Sequence, residues 1–124
     1  KMNFLPATII ATADGTVTLA LTSQPQTTLT LPLNANVAIG QKVSLGLRPE
    51  HFLSEGEGEA QLPVEVDVTE NLGSTSFLYA RLPGGEALIA EQRQRSIGTR
   101  PTAVTLGISA RQCLLFDDAG VRLR

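Results

Sequence analysis

Alternating apolar and polar residues run through most of the chain, and this is the pattern of half-buried β-strands. Thr16–Leu21 places Val17, Leu19 and Leu21 on one face. Asp14 and Gly15 just before it form a typical turn pair, which predicts a hairpin with the preceding apolar stretch. The predicted strands cover residues 4–11, 16–21, 27–33, 42–47, 62–68, 76–82, 86–91, 103–108 and 112–116. Without a convincing helical period, only short helical turns are expected, at 34–37, 48–52 and 109–112.

These short strands and regular turn signals predict an all-β fold, a sandwich or a barrel. An internal repeat sharpens the prediction. Two pairs of segments resemble each other: Ile39-Gly40 with 43–47 recurs as Ile97-Gly98 with 104–108, and Thr16–Leu21 is echoed by 75–80. The offsets are 61 residues from Leu45 to Leu106 and 59 from Leu19 to Leu78. We therefore expect two related units, approximately 1–60 and 61–124, forming two small OB-like barrels packed together.

Composition and charge argue against several classes of function. With a net charge of −2, the chain lacks the basic field that attracts nucleic acid or an anionic membrane surface. Its 4% aromatic content also argues against a stacking platform for single-stranded nucleic acid. No apolar run approaches the roughly 20 residues that cross a bilayer. Because the sequence does not begin with Met, we expect it to be a piece of a longer protein.

Residues for catalysis are missing. The two lysines, Lys1 and Lys42, lie outside any phosphate-binding glycine-rich motif. A single histidine, His51, and a single cysteine, Cys113, cannot form a zinc site of the usual kind or a disulfide. The SEGEGE segment at 54–59 has the composition of a solvated loop rather than the Asp-rich spacing of a calcium site. We therefore predict no catalytic residue, cofactor site or metal site in this chain.

Arg48-Pro49-Glu50-His51 directly follows a predicted strand. Pro49 disfavours the helical conformation for Arg48, so the chain is expected to turn there. One interpretation is a structural corner whose charges satisfy nearby backbone groups. The other is a contact surface or hinge that presents two charges and an imidazole.

Four segments, each weak alone, form a specific ordered set: KMNFL at 1–5, VSLGLRPEH at 43–51, VTENLGS at 68–74, and LFD at 115–117 followed by Gly120. The set resembles the C-terminal regulatory region of MalK-like ATP-binding subunits of sugar ABC importers. The resemblance covers essentially the whole chain. It implies an OB-type fold with a TOBE segment, detached from an ATPase domain that would hold ATP and Mg²⁺.

The resemblance also implies a regulatory and dimerisation role, cytoplasmic and peripheral on the inner face of the cell membrane. The implied partners are a second copy, touching through the regulatory domains, the transporter's membrane subunits, and in some members a signalling protein. By position, the residues matched to partner contact, dimer contact or a hinge are Gly46, Arg48, Pro49, Glu50, His51, Gly73 and Ser74. The second repeat has no equivalent of the R-P-E-H motif, so nothing is transferred to Gly107 or to 109–111.

One alternative stays open at this point. TOBE-like pairs also bind molybdate, so the chain could be a free-standing oxyanion-binding module. Such a site would use backbone N–H groups and hydroxyls, for which Ser44, Thr75 and Ser76 are candidates.

Overall fold

A computed structural model describes residues 1–93 and 102–124. The strands are β1 Asn3–Ala13, β2 Thr16–Leu21, β3 Thr28–Leu31, β4 Lys42–Leu47, β5 Ala60–Leu72, β6 Thr75–Arg81, β7 Ala87–Arg93, β8 Thr102–Ile108, β9 Leu114–Asp117 and β10 Arg122–Leu123. Two 3-10 turns, η1 Pro49–His51 and η2 Ala110–Gln112, complete the described elements. The expected all-β class with short helical turns is confirmed.

The strands form two antiparallel sheets. The first sheet has the order β10-β9-β4-β1-β2-β3, and the second has the order β7-β6-β5-β8. Both contain the same arrangement, because β4-β1-β2-β3 in the first corresponds to β8-β5-β6-β7 in the second. The long strands β1 and β5 each carry a bulge, directly after Ile9 and Val66 respectively. Each bulge bends its strand between two partners.

The strand registers show which residues of the two sheets are equivalent. Leu5 pairs with Leu45 in the first sheet and Leu62 with Leu106 in the second, which matches the offset of 61 for β4 and β8. On the hairpin side, Ile9 pairs with Leu19 and Val66 with Ala80. Leu5 corresponds to Leu62, so Ile9, four residues later, corresponds to Val66. Leu19 is therefore equivalent to Ala80, two residues beyond the Leu78 that the sequence echo indicated. The Ile97-Gly98 part of the echo lies outside the described residues, and the division near residue 60 stays a prediction.

The two halves exchange strands after their 3-10 turns. Leu53, which follows η1, forms a bridge with Gly107 of β8 in the second sheet. Leu114, which follows η2, pairs with Gly46 of β4 in the first sheet. Gly46 and Gly107 are equivalent, as are Leu53 and Leu114. Each half therefore supplies the segment that completes the other half.

The inward faces of both sheets share one apolar core. Its largest fully buried members are leucines and isoleucines from both sheets, among them Leu5, Ile9, Leu19, Leu45, Leu62, Leu78, Leu106 and Ile108. Full burial of each such side chain contributes about 1.5–3 kcal/mol. Since the same cluster draws on both sheets, the halves are joined by packing as well as by strand exchange.

Two buried amide side chains also join the sheets. The Nδ2 of Asn3 donates to the Leu47 carbonyl (3.1 Å) and to the Ile89 carbonyl (2.8 Å), while its Oδ1 accepts from the Ile89 N–H (2.8 Å). Gln24 donates from Nε2 to the Pro63 carbonyl at 2.9 Å. Asn3 thus occupies the hydrogen-bonding groups of β7, an edge strand, as a neighbouring strand would.

The helical turn predicted at 34–37 is wrong, whereas those after β4 and β8 are confirmed. The segment is irregular because the Val37 N–H donates to the carbonyl of Ala35, only two residues back, at 3.1 Å. A helical turn would need a partner three or four residues back. No helix within the described ranges has the length and apolarity to cross a membrane.

Candidate functional site

The Arg48-Pro49-Glu50-His51 segment leaves β4 and turns sharply. Arg48 has extended backbone angles, φ −79° and ψ 143°, as expected for a residue before proline. The His51 N–H closes the turn on the Arg48 carbonyl at 3.0 Å. Pro49 is buried, whereas Arg48 and Glu50 are exposed. The 3-10 turn η1 packs against β7, so the first half presents its corner beside a strand of the second half.

His51 is half-buried in this corner. Its Nδ1 is buried and has no hydrogen-bond partner among the described residues. Buried polar atoms normally find a partner, so this nitrogen is an exception within the corner. The geometry gives His51 a place in the corner but shows no group that it would act upon.

Gly46 has a packing role. A Cβ added at this buried position would lie 2.7 Å from the Met2 Sδ and 2.8 Å from the Phe116 Cε1. A residue without a side chain lets β9 and the start of the chain lie against β4 here without displacing Met2 or Phe116. Gly46 is therefore buried by packing beside the corner, and its predicted role as a contact or hinge residue stays a prediction.

A cavity of about 350 Å³ lies beside Glu50. Glu50, Glu70 and Glu91 contribute carboxylates to its lining, Lys1 contributes an ammonium group, and the rest of the lining is Pro49, Phe77, Tyr79 and Ile89. The Tyr79 hydroxyl donates to Glu70 Oε1 at 3.1 Å, and this bond raises the pKa of Tyr79 above its usual value. We call η1 together with Glu70 and Glu91 the acidic corner. Glu70, Tyr79 and Glu91 were not predicted for this site, because they reach Glu50 only through the pairing of β5, β6 and β7.

The Gly73-Ser74 turn lies elsewhere. It is the exposed tip of the β5–β6 hairpin, where Leu72 pairs with Thr75 and Gly73 adopts φ +77°. The cavity beside Glu50 is lined from the middle of that hairpin, by Glu70 and Tyr79, rather than from its tip. The structure thus separates the two sets of residues that the sequence resemblance matched to contact.

The second half has an equivalent corner of different chemistry. Arg111 of η2 is exposed and corresponds to Glu50. It lines a cavity of about 200 Å³ together with Arg122 and apolar residues that include Leu33 and Leu114. We call η2 together with Arg122 the basic corner. It packs against β3, as η1 packs against β7.

Cys113 and the acidic groups offer little for catalysis or metal binding. Burial raises the pKa of the Cys113 thiol to about 12, so the thiol remains protonated at neutral pH. Its Sγ donates to the Ser109 carbonyl at 3.3 Å. Within residues 1–93 and 102–124, no three His, Cys, Asp or Glu side chains are grouped closely enough to hold a metal ion.

The hydroxyls proposed for an oxyanion do not converge. Ser44 lies on β4 in the first sheet, where its cavity also contains Asp117 and Asp118. Ser76 lies on β6 in the second sheet, and its buried hydroxyl donates to Asn71 Oδ1. Two carboxylates beside Ser44 oppose an anion, and the Ser76 donor is already used.

Two family models match the chain: a MalK OB fold domain over residues 1–52 and a TOBE domain over residues 45–116. The lactose transport ATP-binding protein LacK of Rhizobium radiobacter is 46% identical, over 100% of this chain and 35% of LacK. The maltose/maltodextrin import ATP-binding protein MalK is 31% identical in Escherichia coli strain K12, over 100% of this chain and 34% of MalK. The chain therefore spans about a third of the length of these relatives.

A solved structure shares the fold. The cytoplasmic molybdate-binding protein ModG, in a form with molybdate bound, matches with a TM-score of 0.72 over 96% of this chain and 95% of ModG. The sequences are 18% identical, so this likeness concerns the fold alone.

Proposed function

The chain belongs to the TOBE domain family, with a MalK OB fold domain over its first 52 residues, and from this premise we propose that it is the regulatory and dimerisation domain of an ABC importer's ATP-binding subunit. The observation that carries the proposal is the match to LacK over the full length of the chain at 46% identity. The names of LacK and MalK support lactose, maltose or related sugars as the solute class of the parent importer.

In this proposal the chain does not hydrolyse ATP by itself. ATP and Mg²⁺ would bind in the ATPase domain of the longer subunit, since phosphate binding needs a glycine-rich loop and lysine that this chain lacks. The subunit would sit in the cytoplasm against the inner face of the membrane, held there by the transporter's membrane subunits. No nucleic acid and no direct membrane insertion are involved.

The proposed contacts are with a second copy and, as a further partner class, a signalling protein that controls transport. The exposed charges of Arg48 and Glu50 support a contact role for the first corner. Gly73 and Ser74 form a separate, exposed turn that could serve a second contact. Gly46 and Pro49, both buried, would shape the first corner rather than touch a partner.

A chimera tests the proposed function. This chain replaces the matching third of Rhizobium LacK, and the chimeric subunit is assembled with the lactose importer's membrane subunits. We expect a dimeric subunit, ATP-dependent lactose uptake, and loss of both when the chain is removed. A control chimera carries Gly107→Leu, which should disrupt the fold. A folded, ATP-binding chimera that stays monomeric and fails to support uptake would contradict the proposal.

The oxyanion-binding alternative is weaker, because the ModG likeness shows the fold alone and the candidate hydroxyls lie on different sheets. Calorimetric titration of the chain with molybdate, tungstate and sulfate distinguishes the two functions. We expect no heat of binding at millimolar anion. Saturable binding of molybdate would instead favour the oxyanion function.

A further inference from the structure

The two equivalent edge strands, β3 and β7, differ in how their outer hydrogen-bonding groups are occupied. Each pairs with a single neighbouring strand, β2 or β6. At β7, the Asn3 side chain bonds the N–H and the C=O of Ile89. Because Leu5 corresponds to Leu62, the residue at the place of Asn3 in the other half is Ala60. Alanine has no amide group, so it cannot cap β3 in the same way.

The residue of β3 that corresponds to the capped residue of β7 is Thr30. Leu29 pairs with Leu19, and Leu88 pairs with Ala80, the equivalent of Leu19 in the second sheet. Leu29 and Leu88 are therefore equivalent, and so are the residues that follow them. The comparison thus identifies one backbone position that is capped in the second half and uncapped in the first.

The outer backbone groups of β3 have no partner in the part of the chain that the structure describes. The Leu21 N–H donates to the Thr27 carbonyl at 3.1 Å, and bonded pairs alternate with unbonded pairs along an antiparallel ladder. The N–H and C=O groups of Thr28 and Thr30 therefore point away from β2. Within residues 1–93 and 102–124 no hydrogen bond engages these four groups, and both residues are exposed. We call these four groups the free edge.

The cavity of about 200 Å³ at the basic corner begins directly after the free edge. Its lining joins residues 31–33, which end and follow β3, to the basic corner. Arg111 and Arg122 are exposed there, and Leu33 and Leu114 supply apolar lining beside them. A segment that pairs with the free edge would therefore reach both guanidinium groups and apolar surface.

The charged side chains that line this cavity, among the described residues, are both positive. The ion pairs of residues 1–93 and 102–124 all involve Arg81, so none engages Arg111 or Arg122. Two carboxylates belong to adjoining segments, Glu59 and Asp117. Neither lines the cavity, and both accept backbone N–H bonds, from η2 and from the β9–β10 turn respectively. An occupant with carboxylates is favoured, because a guanidinium group forms paired hydrogen bonds with a carboxylate.

We propose that an extended, acidic segment of another protein adds to β3 as a further strand. Its main chain bonds the free edge, its carboxylates pair with the basic corner, and its apolar side chains enter the cavity. The β3 strand of a second copy is a poorer occupant, because residues 23–37 contain no Asp or Glu. The proposal goes beyond the regulatory and dimerisation role proposed above and does not rest on it.

Fluorescence anisotropy with labelled peptides tests the proposal on the 124-residue chain. The probe is an acetylated, amidated octapeptide of alternating valine and aspartate, and its counterpart alternates valine and lysine. At about 0.05 M salt, we expect the acidic peptide to bind saturably below about 1 mM and the basic peptide to bind at least about tenfold more weakly. Amide hydrogen exchange at Thr28 and Thr30 should slow when the acidic peptide binds.

Thr30→Pro removes one outward N–H from the free edge. Proline is tolerated on an edge strand where its nitrogen faces solvent, so the fold should persist while peptide binding weakens by about tenfold or more. Thr30→Val, which keeps the N–H, is the matched control and should bind as the wild type does. Thermal melts check that both variants are folded.

Ala60→Asn transfers the cap of β7 to β3. The new amide should bond the N–H and C=O of Thr30 as Asn3 bonds those of Ile89, and peptide binding should fall by about tenfold or more. Ala60→Ser, whose hydroxyl is too short to replace the amide, should leave binding unchanged. This test does not depend on tolerance of proline, because it adds hydrogen bonds instead of removing one.

Arg111→Glu tests the charge preference. It should weaken binding of the acidic peptide by about tenfold or more and strengthen binding of the basic one. Lys42→Glu, at the exposed start of β4, makes the same charge change elsewhere and should alter neither affinity.

Several results would overturn the proposal: no binding up to about 1 mM, equal binding of the two peptides, or unchanged binding in both Thr30→Pro and Ala60→Asn. Self-association of the wild-type chain that Thr30→Pro abolishes would also overturn it, since a second copy would then occupy the free edge. None of these results affects lactose uptake by the LacK chimera, so failure of this site and failure of the proposed function can be distinguished.

Discussion

The two halves of the molecule share a strand order but differ in what their corners contain. The first half turns through Pro49, Glu50 and His51, whereas the second turns through Ala110, Arg111 and Gln112. Both corners follow a glycine that allows a crossing segment to lie against the strand, Gly46 in one case and Gly107 in the other. The comparison shows that the two halves share a backbone path while the exposed side chains at their corners differ. The following predictions test how far that equivalence extends.

The largest effect is expected at the two equivalent glycines. A Cβ at Gly107 would lie 2.7 Å from the Ser54 carbonyl oxygen and closer still to that of Glu57, and backbone cannot readily move aside. At Gly46 it would meet the Met2 and Phe116 side chains, which can adjust. We expect Gly107→Ala to destabilise the fold by about 3 kcal/mol and Gly46→Ala by about 1–2 kcal/mol, measured by urea denaturation. Equal losses would mean that the two crossings are more alike than the contacts indicate.

The second-largest loss of stability is expected at the two amide side chains that join the sheets. Asn3→Ala removes hydrogen bonds to both Leu47 and Ile89 and leaves partly buried backbone groups of β7 unpaired. Gln24→Ala removes the single bond to the Pro63 carbonyl. We expect losses of about 2–3 kcal/mol for Asn3→Ala and about 1 kcal/mol for Gln24→Ala in the same urea assay. Asn34→Ala, at an exposed site, is the control and should change stability by less than about 0.5 kcal/mol.

Exchanging proline between the corners should have a smaller effect. Pro49→Ala increases the freedom of the unfolded chain and should cost about 0.4–1 kcal/mol. Ala110→Pro should not give the reciprocal gain, because the Ala110 N–H donates to Glu59 Oε1 at 2.7 Å and proline has no N–H. Melting curves of the two variants and of their combination measure both effects. A stabilising Ala110→Pro would show that the Glu59 contact contributes little.

The smallest effect on stability concerns Tyr79 in the acidic corner. Its hydrogen bond to Glu70 raises the pKa of Tyr79 above 10.0, so the folded state favours the protonated phenol. Any stabilisation from this bond is present below the pKa of the unfolded tyrosine and is lost as pH rises through the higher folded pKa. Ultraviolet titration of this single tyrosine should show the upward displacement, and Glu70→Gln should reverse most of it. An unchanged titration in Glu70→Gln would show that Glu70 is not the cause.

The alternation of apolar and polar residues predicts most strands because its period is two, and the first corner is predictable because Pro49 restricts Arg48. The alternation does not determine strand register within the repeat. A slip of two residues leaves every side chain on the same face, so the Leu19–Leu78 echo looks as regular as the Leu19–Ala80 equivalence that pairing reveals. It also missed β10, whose two residues are too few to show a pattern.

Only part of the candidate site could be predicted, because the rest of it again depends on strand register. Glu50 is adjacent in sequence to Pro49, so its exposed place at the corner follows from the turn. Glu70, Tyr79 and Glu91 reach it only because β5, β6 and β7 pair in a particular register. The opposite holds for the Gly73-Ser74 turn. The sequence resemblance matched it to partner contact together with Glu50, but it lies at the tip of the β5–β6 hairpin and does not line the cavity beside Glu50.

The exchanged strands constrain how this domain is made in the cell. As the chain leaves the ribosome, β4 appears before β5 to β8, yet its neighbour in the first sheet is β9, which follows them in the sequence. Until residues 114–117 emerge, β4 presents an unpaired edge, the kind of surface on which strands of other chains can add. The first half therefore cannot complete its sheet ahead of the second. A ribosome that stalls before residue 114 would leave the first sheet unfinished, although every strand of the second sheet had been made.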